Sequence, residues 1–164
     1  MSGDIKAREL IGIAIGVEER GIAFYDVMAR STDDASASQA FQHLADMERQ
    51  HVRIFQEMLD NPGELVLSDT ARDNRPYLEA LVTSSVFTDD LATSEMATRV
   101  NSDLEAVELA IVAEKDSILF YYQLREMMDK PAHTTLDRVV EEEKQHLTQL
   151  TGIKQELARG KADH

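Results

Sequence analysis

The sequence predicts an all-α fold, a four-helix bundle made of two helical hairpins joined by a long crossover. Three observations lead to it. Apolar residues recur three and four positions apart over four long stretches, the period of a helix that buries one face. Cap and stop residues fall at the ends of those stretches. The second half of the chain also repeats the first: residues 13–25 align with 109–121, with six identities at an offset of 96.

Four helices of about 25 residues, each roughly 38 Å long at ~1.5 Å per residue, use most of the chain. With 164 residues, one domain spanning 1–164 is the economical reading. The first helix is expected from about Asp4 to Ala29, with Ile11, Ala14, Glu18, Gly21, Tyr25 and Met28 on its inner seam. Ser31-Thr32-Asp33-Asp34 then reads as a turn and as the cap of a second helix that continues to about Asp60 and stops at Asn61-Pro62-Gly63. Its seam is Phe41, Leu44, Glu48, His51, Phe55 and Met58.

Residues 61–101 are too long for a plain loop inside a compact domain and are read as a crossover with short extra helices. Pro76 is expected to open one of these, carrying Tyr77, Leu78, Leu81 and Val82, and Thr88 to cap another through Met96. A connection of this length lets the third long helix start at the end of the bundle where the second started. Ser102-Asp103-Leu104-Glu105 is a capping box that opens this third helix, expected to end near Asp129. Its seam is Val107, Ala110, Glu114, Ser117, Tyr121, Leu124 and Met128. Thr134 or Thr135 caps the fourth, which carries Leu136, Val139, Glu143, His146, Leu150, Ile153 and Leu157 and ends at about Ala158.

Two Glu-x-x-His pairs interrupt these apolar seams, Glu48 with His51 and Glu143 with His146. A carboxylate and an imidazole three residues apart share one helix face, so both can reach one point in space. Glu18 and Glu114 occupy the same kind of position on the other two helices. Four buried carboxylates without compensation would cost several kcal/mol each or take up protons. Two divalent cations remove the difficulty, since their charge cancels that of the four carboxylates. A metal-free polar network would need Lys or Arg partners, and the seams supply none. Donors rich in carboxylate with two imidazoles suit iron or manganese better than zinc or copper, and iron is expected because it also carries electrons. Glu19, Glu141 and Glu142 lie off the seams and are expected in solvent, as are His43 and His133; Arg20, Arg49 and Lys144 are expected to turn away from the site.

The balance of 17 Lys+Arg against 31 Asp+Glu, a net charge of −14, argues against a nucleic-acid partner or an anionic membrane surface. There is no cysteine, hence no disulfide framework and no thiolate metal site. No stretch is continuously apolar over a membrane span and the N-terminus has no basic segment ahead of an apolar run, so a cytoplasmic location is expected.

With these residues in place, the sequence resembles a rubrerythrin-type member of the ferritin-like superfamily, a likeness that covers the bundle helices. It rests on the two Glu-x-x-His pairs and on two copies of Glu followed seven residues later by Tyr, Glu18 to Tyr25 and Glu114 to Tyr121. The resemblance implies Glu18, His51, Glu114 and His146 as terminal ligands of two iron ions, and Glu48 and Glu143 as bridges. Each tyrosine hydroxyl is expected to approach the glutamate of its own helix. The resemblance further implies an oxidoreductase that reduces hydrogen peroxide or dioxygen, works as a homodimer and draws electrons from a separate donor protein. The alternatives are a ferroxidase and a non-catalytic, metal-stabilised binding protein.

The chain departs from the family pattern in three places. It lacks the four cysteines of a rubredoxin-like iron domain, and Ser117 stands where rubrerythrins carry an extra glutamate. Arg49 stands where bacterioferritins carry a haem-ligating methionine, so haem is not expected, and no helix fits after the fourth to build a storage cage.

Overall fold

A computed structural model describes residues 6–87 and 100–162. Among the described residues there are five α-helices: α1 (Ala7–Ser31), α2 (Ala35–Leu59), α3 (Ala71–Thr83), α4 (Asp103–Met127) and α5 (His133–Ala162). α1 pairs with α2 and α4 with α5 as hairpins, while the short α3 lies along α4. The expected helix from Thr88 to Met96, and Asp4, lie outside the described residues.

Local chemistry sets the helix ends. The Asp34 carboxylate accepts from the Ala37 amide at 3.0 Å and caps α2. Ser102 Oγ accepts from the Glu105 amide at 3.1 Å, and Glu105 reaches back to the Asn101 amide at 3.0 Å. The reciprocal bond of this capping box thus falls one residue earlier than its usual place.

Three expected boundaries shift. α3 begins at Ala71, so Pro76 sits inside it. The Asn74 amide already closes a turn on the Thr70 carbonyl, and the helix gives up only the one bond that proline cannot donate. α4 stops at Met127 because the chain there pairs with the start of the crossover: the Ser68 amide donates to the Met127 carbonyl at 2.9 Å and the Asp129 amide to the Val66 carbonyl at 2.7 Å. Neither Thr134 nor Thr135 caps α5. Asp129 caps a single 3-10 turn, Lys130–Ala132, that runs straight into α5, which then continues through Gly160 to Ala162.

Two apolar clusters fill the bundle. One gathers Leu10, Ile11, Phe55, Met58, Leu124, Leu136 and Val139. The other gathers Met28, Phe41, Leu44, Val107, Ala110 and Leu150. The first therefore joins the start of α1 and α5 to the end of α2 and α4, and the second joins the opposite ends. α1 runs antiparallel to α4, α2 runs parallel to α4, and the crossover spans the length of the bundle. Between the two clusters lies a belt of buried polar side chains.

Candidate metal centre

That belt is built from one helix turn of each long helix. Glu18, Glu48, Glu114 and Glu143 are at most 4% exposed, and His51 and His146 at most 3%. Donor atoms of Glu18, Glu48, His51 and Glu143 all lie within 4.8 Å of one another, and so do those of Glu48, Glu114, Glu143 and His146. The structure thus brings all six sequence-selected residues into two groups that share Glu48 and Glu143.

Both imidazoles turn Nδ1 inward. His51 Nδ1 lies 3.2 Å from Glu48, 3.2 Å from Glu143 and 3.5 Å from Glu18. His146 Nδ1 lies 3.3 Å from Glu143, 3.6 Å from Glu48 and 3.7 Å from Glu114. The two rings lie 5.7 Å apart between centroids, so the two half-sites sit side by side.

The tyrosines bond across the bundle, which corrects the expectation from sequence. Tyr25 Oη donates to Glu114 Oε1 at 2.6 Å and Tyr121 Oη donates to Glu18 Oε1, each on the other hairpin. Seven residues along one helix is a rise of about 10.5 Å, and side chains on one helix all lean toward its N-terminus, so the gap between Glu18 and Tyr25 does not close. α4 runs the opposite way, so Glu114 leans toward Tyr25.

Protons hold the cluster together in the absence of cations. Burial, then Glu48, pushes the Glu18 carboxyl up to about 8. Burial, then Glu114, Glu48 and Glu18, pushes Glu143 well above the carboxylate range. Glu48 and Glu114 go the other way: burial opposes it, but hydrogen bonds from neighbouring carboxyls and imidazoles hold both low. Burial also works against the imidazolium of His146, yet Glu114, Glu143 and Glu48 push it up to about 12, and His51 is raised in the same way by Glu143, Glu18 and Glu48. Two neutral carboxyls, two carboxylates and two imidazolium ions give a neutral cluster, reached with four protons in place of metal charge.

The donor set fits two divalent cations. Among the described residues, Glu114 Oε2 and Glu143 Oε1 find no hydrogen-bond partner in the buried cluster, although burial ordinarily demands one. Such oxygens, facing inward beside two imidazole Nδ1 atoms, are the atoms a hard cation takes up.

A cavity of about 40 Å³ opens against the cluster, between α1 and α4. Glu18, Glu48 and Glu114 form its inner wall; Phe120, Leu81, Val82 and Phe87 form much of its apolar remainder. Gly21 and Ser117, one turn beyond Glu18 and Glu114, leave the space open. Asp116, on the cavity wall, accepts from the Val86 amide at 2.9 Å and ties the end of the α3 segment over the opening. Arg20, expected to turn away, also lines it.

One partner was missed. Glu142, expected in solvent, is 19% exposed at its side chain and accepts from His51 Nε2 at 2.7 Å. Only its place beside Glu143 and four residues after Arg138 hinted at this. The other assignments differ less: Arg49 pairs with Asp26 and Asp46, Lys144 lies over the Tyr122 ring, and His133 is tied to the Met128 carbonyl.

Fold and centre define a ferritin-like bundle with a carboxylate–histidine site for two metal ions. The chain belongs to the rubrerythrin family, whose sequence profile matches residues 9–154. It is similar, at 31% identity and a TM-score of 0.68, to a protein of Thermotoga maritima provisionally described as a ferritin-like diiron-carboxylate protein, over 93% of this chain and 96% of that one. No curated protein sequence matches the chain significantly. Family, fold and cluster together mark it as a diiron-type protein.

Proposed function

We propose that the chain is an oxidoreductase that holds two iron ions, or manganese in their place, and reduces hydrogen peroxide or dioxygen with electrons from a separate donor protein. Glu18 and His51 would hold one ion and Glu114 and His146 the other, with Glu48 and Glu143 between them. Two bound Fe(II) ions would supply the two electrons that, with two protons, convert hydrogen peroxide to two waters. The supporting observation is the 40 Å³ cavity against Glu18, Glu48 and Glu114. A single water needs roughly 10–15 Å³ of such space, so the cavity has room for a diatomic oxidant or peroxide beside the carboxylates.

The chain's own groups then have distinct tasks. Tyr25 and Tyr121 hold Glu114 and Glu18 in place through their hydroxyl protons. Phe87 and Phe120 keep the cavity wall apolar. Donor docking and a homodimer belong to the same proposal, supported by the half-exposed Tyr77, Leu119 and Tyr122. Light scattering that reports a monomer would remove the dimer from it.

The net charge of −14 favours a second reading, a ferroxidase that draws in Fe(II) and passes Fe(III) onward. Anaerobic Fe(II) titration followed by rapid mixing with each oxidant separates the readings. Saturation near two Fe(II) per chain and faster oxidation by peroxide support the reductase; dioxygen preference with continued Fe(II) consumption supports the ferroxidase. If iron binds and neither oxidant reacts, a binding protein stabilised by metal takes their place.

A further inference from the structure

The two half-sites share a plan but differ at the outer nitrogen of each imidazole. His51 Nε2 donates to Glu142 Oε2 at 2.7 Å, and the other oxygen of Glu142 accepts from Arg138 Nε at 3.2 Å. His146 Nε2 is buried with no hydrogen-bond partner among the described residues. The repeat that maps Glu143 onto Glu48 maps Glu142 onto Met47, a half-buried thioether that carries no charge and accepts hydrogen bonds weakly.

We infer that Glu142 is a positioning residue for His51 and makes the half-sites unequal, so that the Glu18/Glu48/His51/Glu143 position takes its divalent ion first. A carboxylate on Nε2–H fixes the tautomer that leaves the Nδ1 lone pair facing inward, locks the ring orientation and raises the basicity of Nδ1. The metal must displace the inner proton of His51 as well, but there the ring orientation and the outer Nε2–H are already held by Glu142. His146 gives up its inner proton too, with no acceptor among the described residues to hold its ring or its outer nitrogen. Arg138 in turn restrains the Glu142 carboxylate, so the relay runs from the cluster to the exposed edge of α5.

The inference rests on the two-metal reading and is tested by anaerobic titration of metal-free protein with Co(II), read by the visible absorption of bound cobalt and by calorimetry. Wild type is expected to bind one ion more tightly than the second. Glu142→Ala should weaken the tighter step by about 10–100-fold and leave the weaker one within about twofold. Glu142→Gln, which keeps an acceptor without its charge, should fall between, and Glu141→Ala at an exposed neighbour should change neither step. His146→Ala should retain the tight step with its cobalt spectrum, and His51→Ala should lose it. Equal steps in wild type, a Glu142→Ala titration that superimposes on wild type, or loss of the tight step from His146→Ala in place of His51→Ala would overturn the inference and leave the dinuclear centre standing. Wild-type protein that binds no Co(II) would instead remove the two-metal reading itself.

Discussion

Tyr25 Oη donates to Glu114 Oε1 at 2.6 Å, joining α1 of the first hairpin to α4 of the second through a side chain that is 1% exposed. Its pseudo-symmetric mate joins Tyr121 to Glu18. The centre is therefore braced between hairpins, and each hairpin's tyrosine supports the other's glutamate. A hydrogen bond to a buried charged group contributes about 1.5–3 kcal/mol. Tyr25→Phe is expected to lose about that much stability in urea unfolding and to weaken the half-site of Glu114 and His146. An effect confined to the half-site of Glu18 and His51 would contradict the crossed arrangement.

The protons in the cluster make stability depend on pH in a definite direction. Glu18 rises from an ordinary 4.5 to about 8, so the folded state holds its proton where the unfolded chain has lost it. Its contribution is present below 4.5 and is lost as pH rises through about 8. His146, raised from 6.5 to about 12, acts with the same sign over a higher window. Glu48 and Glu114, held low, act oppositely and lose their contribution as pH falls below 4.5. Metal-free protein should therefore lose thermal stability as pH rises from 4.5 through about 8 and beyond, while the added stability from bound divalent ions grows, because binding displaces protons. Melting curves with and without Mn(II) measure both trends.

The same accounting predicts the proton yield of metal binding. Two carboxyls and two imidazolium ions give up their protons to two cations, so about four protons per chain should be released near neutral pH. Calorimetry in buffers of different ionisation enthalpy counts them. Release near zero would mean that the cations bind elsewhere.

Glu18 is mostly neutral at pH 7 without metal, since its carboxyl is pushed up to about 8. Glu18→Gln should accordingly leave metal-free stability within about 0.5 kcal/mol of wild type, the scale of a change that breaks no buried interaction. It should nonetheless reduce the stabilisation that metal brings. Unfolding of both proteins with and without Mn(II) provides the comparison.

How much of this was legible in the sequence follows the physics of each element. The seams fixed four long helices and placed Glu18, Glu48, His51, Glu114, Glu143 and His146 on inward faces, because burial imposes a period that sequence displays. Capping by Asp34 and Ser102 was legible for the same reason, being local. The start of α3 was not: proline marks a helix only at its first turn, and Pro76 lies in the second, tolerated because one missing bond is a small part of a helix of 13 residues. The start of α5 was hidden by the 3-10 turn that Asp129 caps.

Contacts between elements were less visible still. The pairing of Tyr25 with Glu114 depends on the relative direction of α1 and α4, and spacing along one helix suggested the wrong partner. Glu142 has the sequence signature of a solvated residue, and only the packing of α5 against α2 carries it to His51 Nε2. The cavity is lined jointly by Gly21, Ser117 and Phe87 from separate parts of the chain, which no single stretch of sequence displays.

The cavity makes a separate demand. Ser117→Leu should fill it and slow oxidation by peroxide at least about tenfold, the effect of roughly 1.4 kcal/mol at the barrier. Two metal ions should still bind, as Ser117 is not among the grouped donors. Stopped-flow oxidation of the loaded variant tests this, and an unchanged rate would place oxidant entry elsewhere.

The most direct test of the central claim is a crystal structure of the protein soaked in Mn(II) or, anaerobically, in Fe(II), with anomalous scattering recorded at the metal edge. Two anomalous peaks are expected, one against His51 Nδ1 and Glu18 and the other against His146 Nδ1 and Glu114, with Glu48 and Glu143 reaching both. A single peak, or peaks only among surface carboxylates while the six side chains keep their metal-free positions, would contradict it.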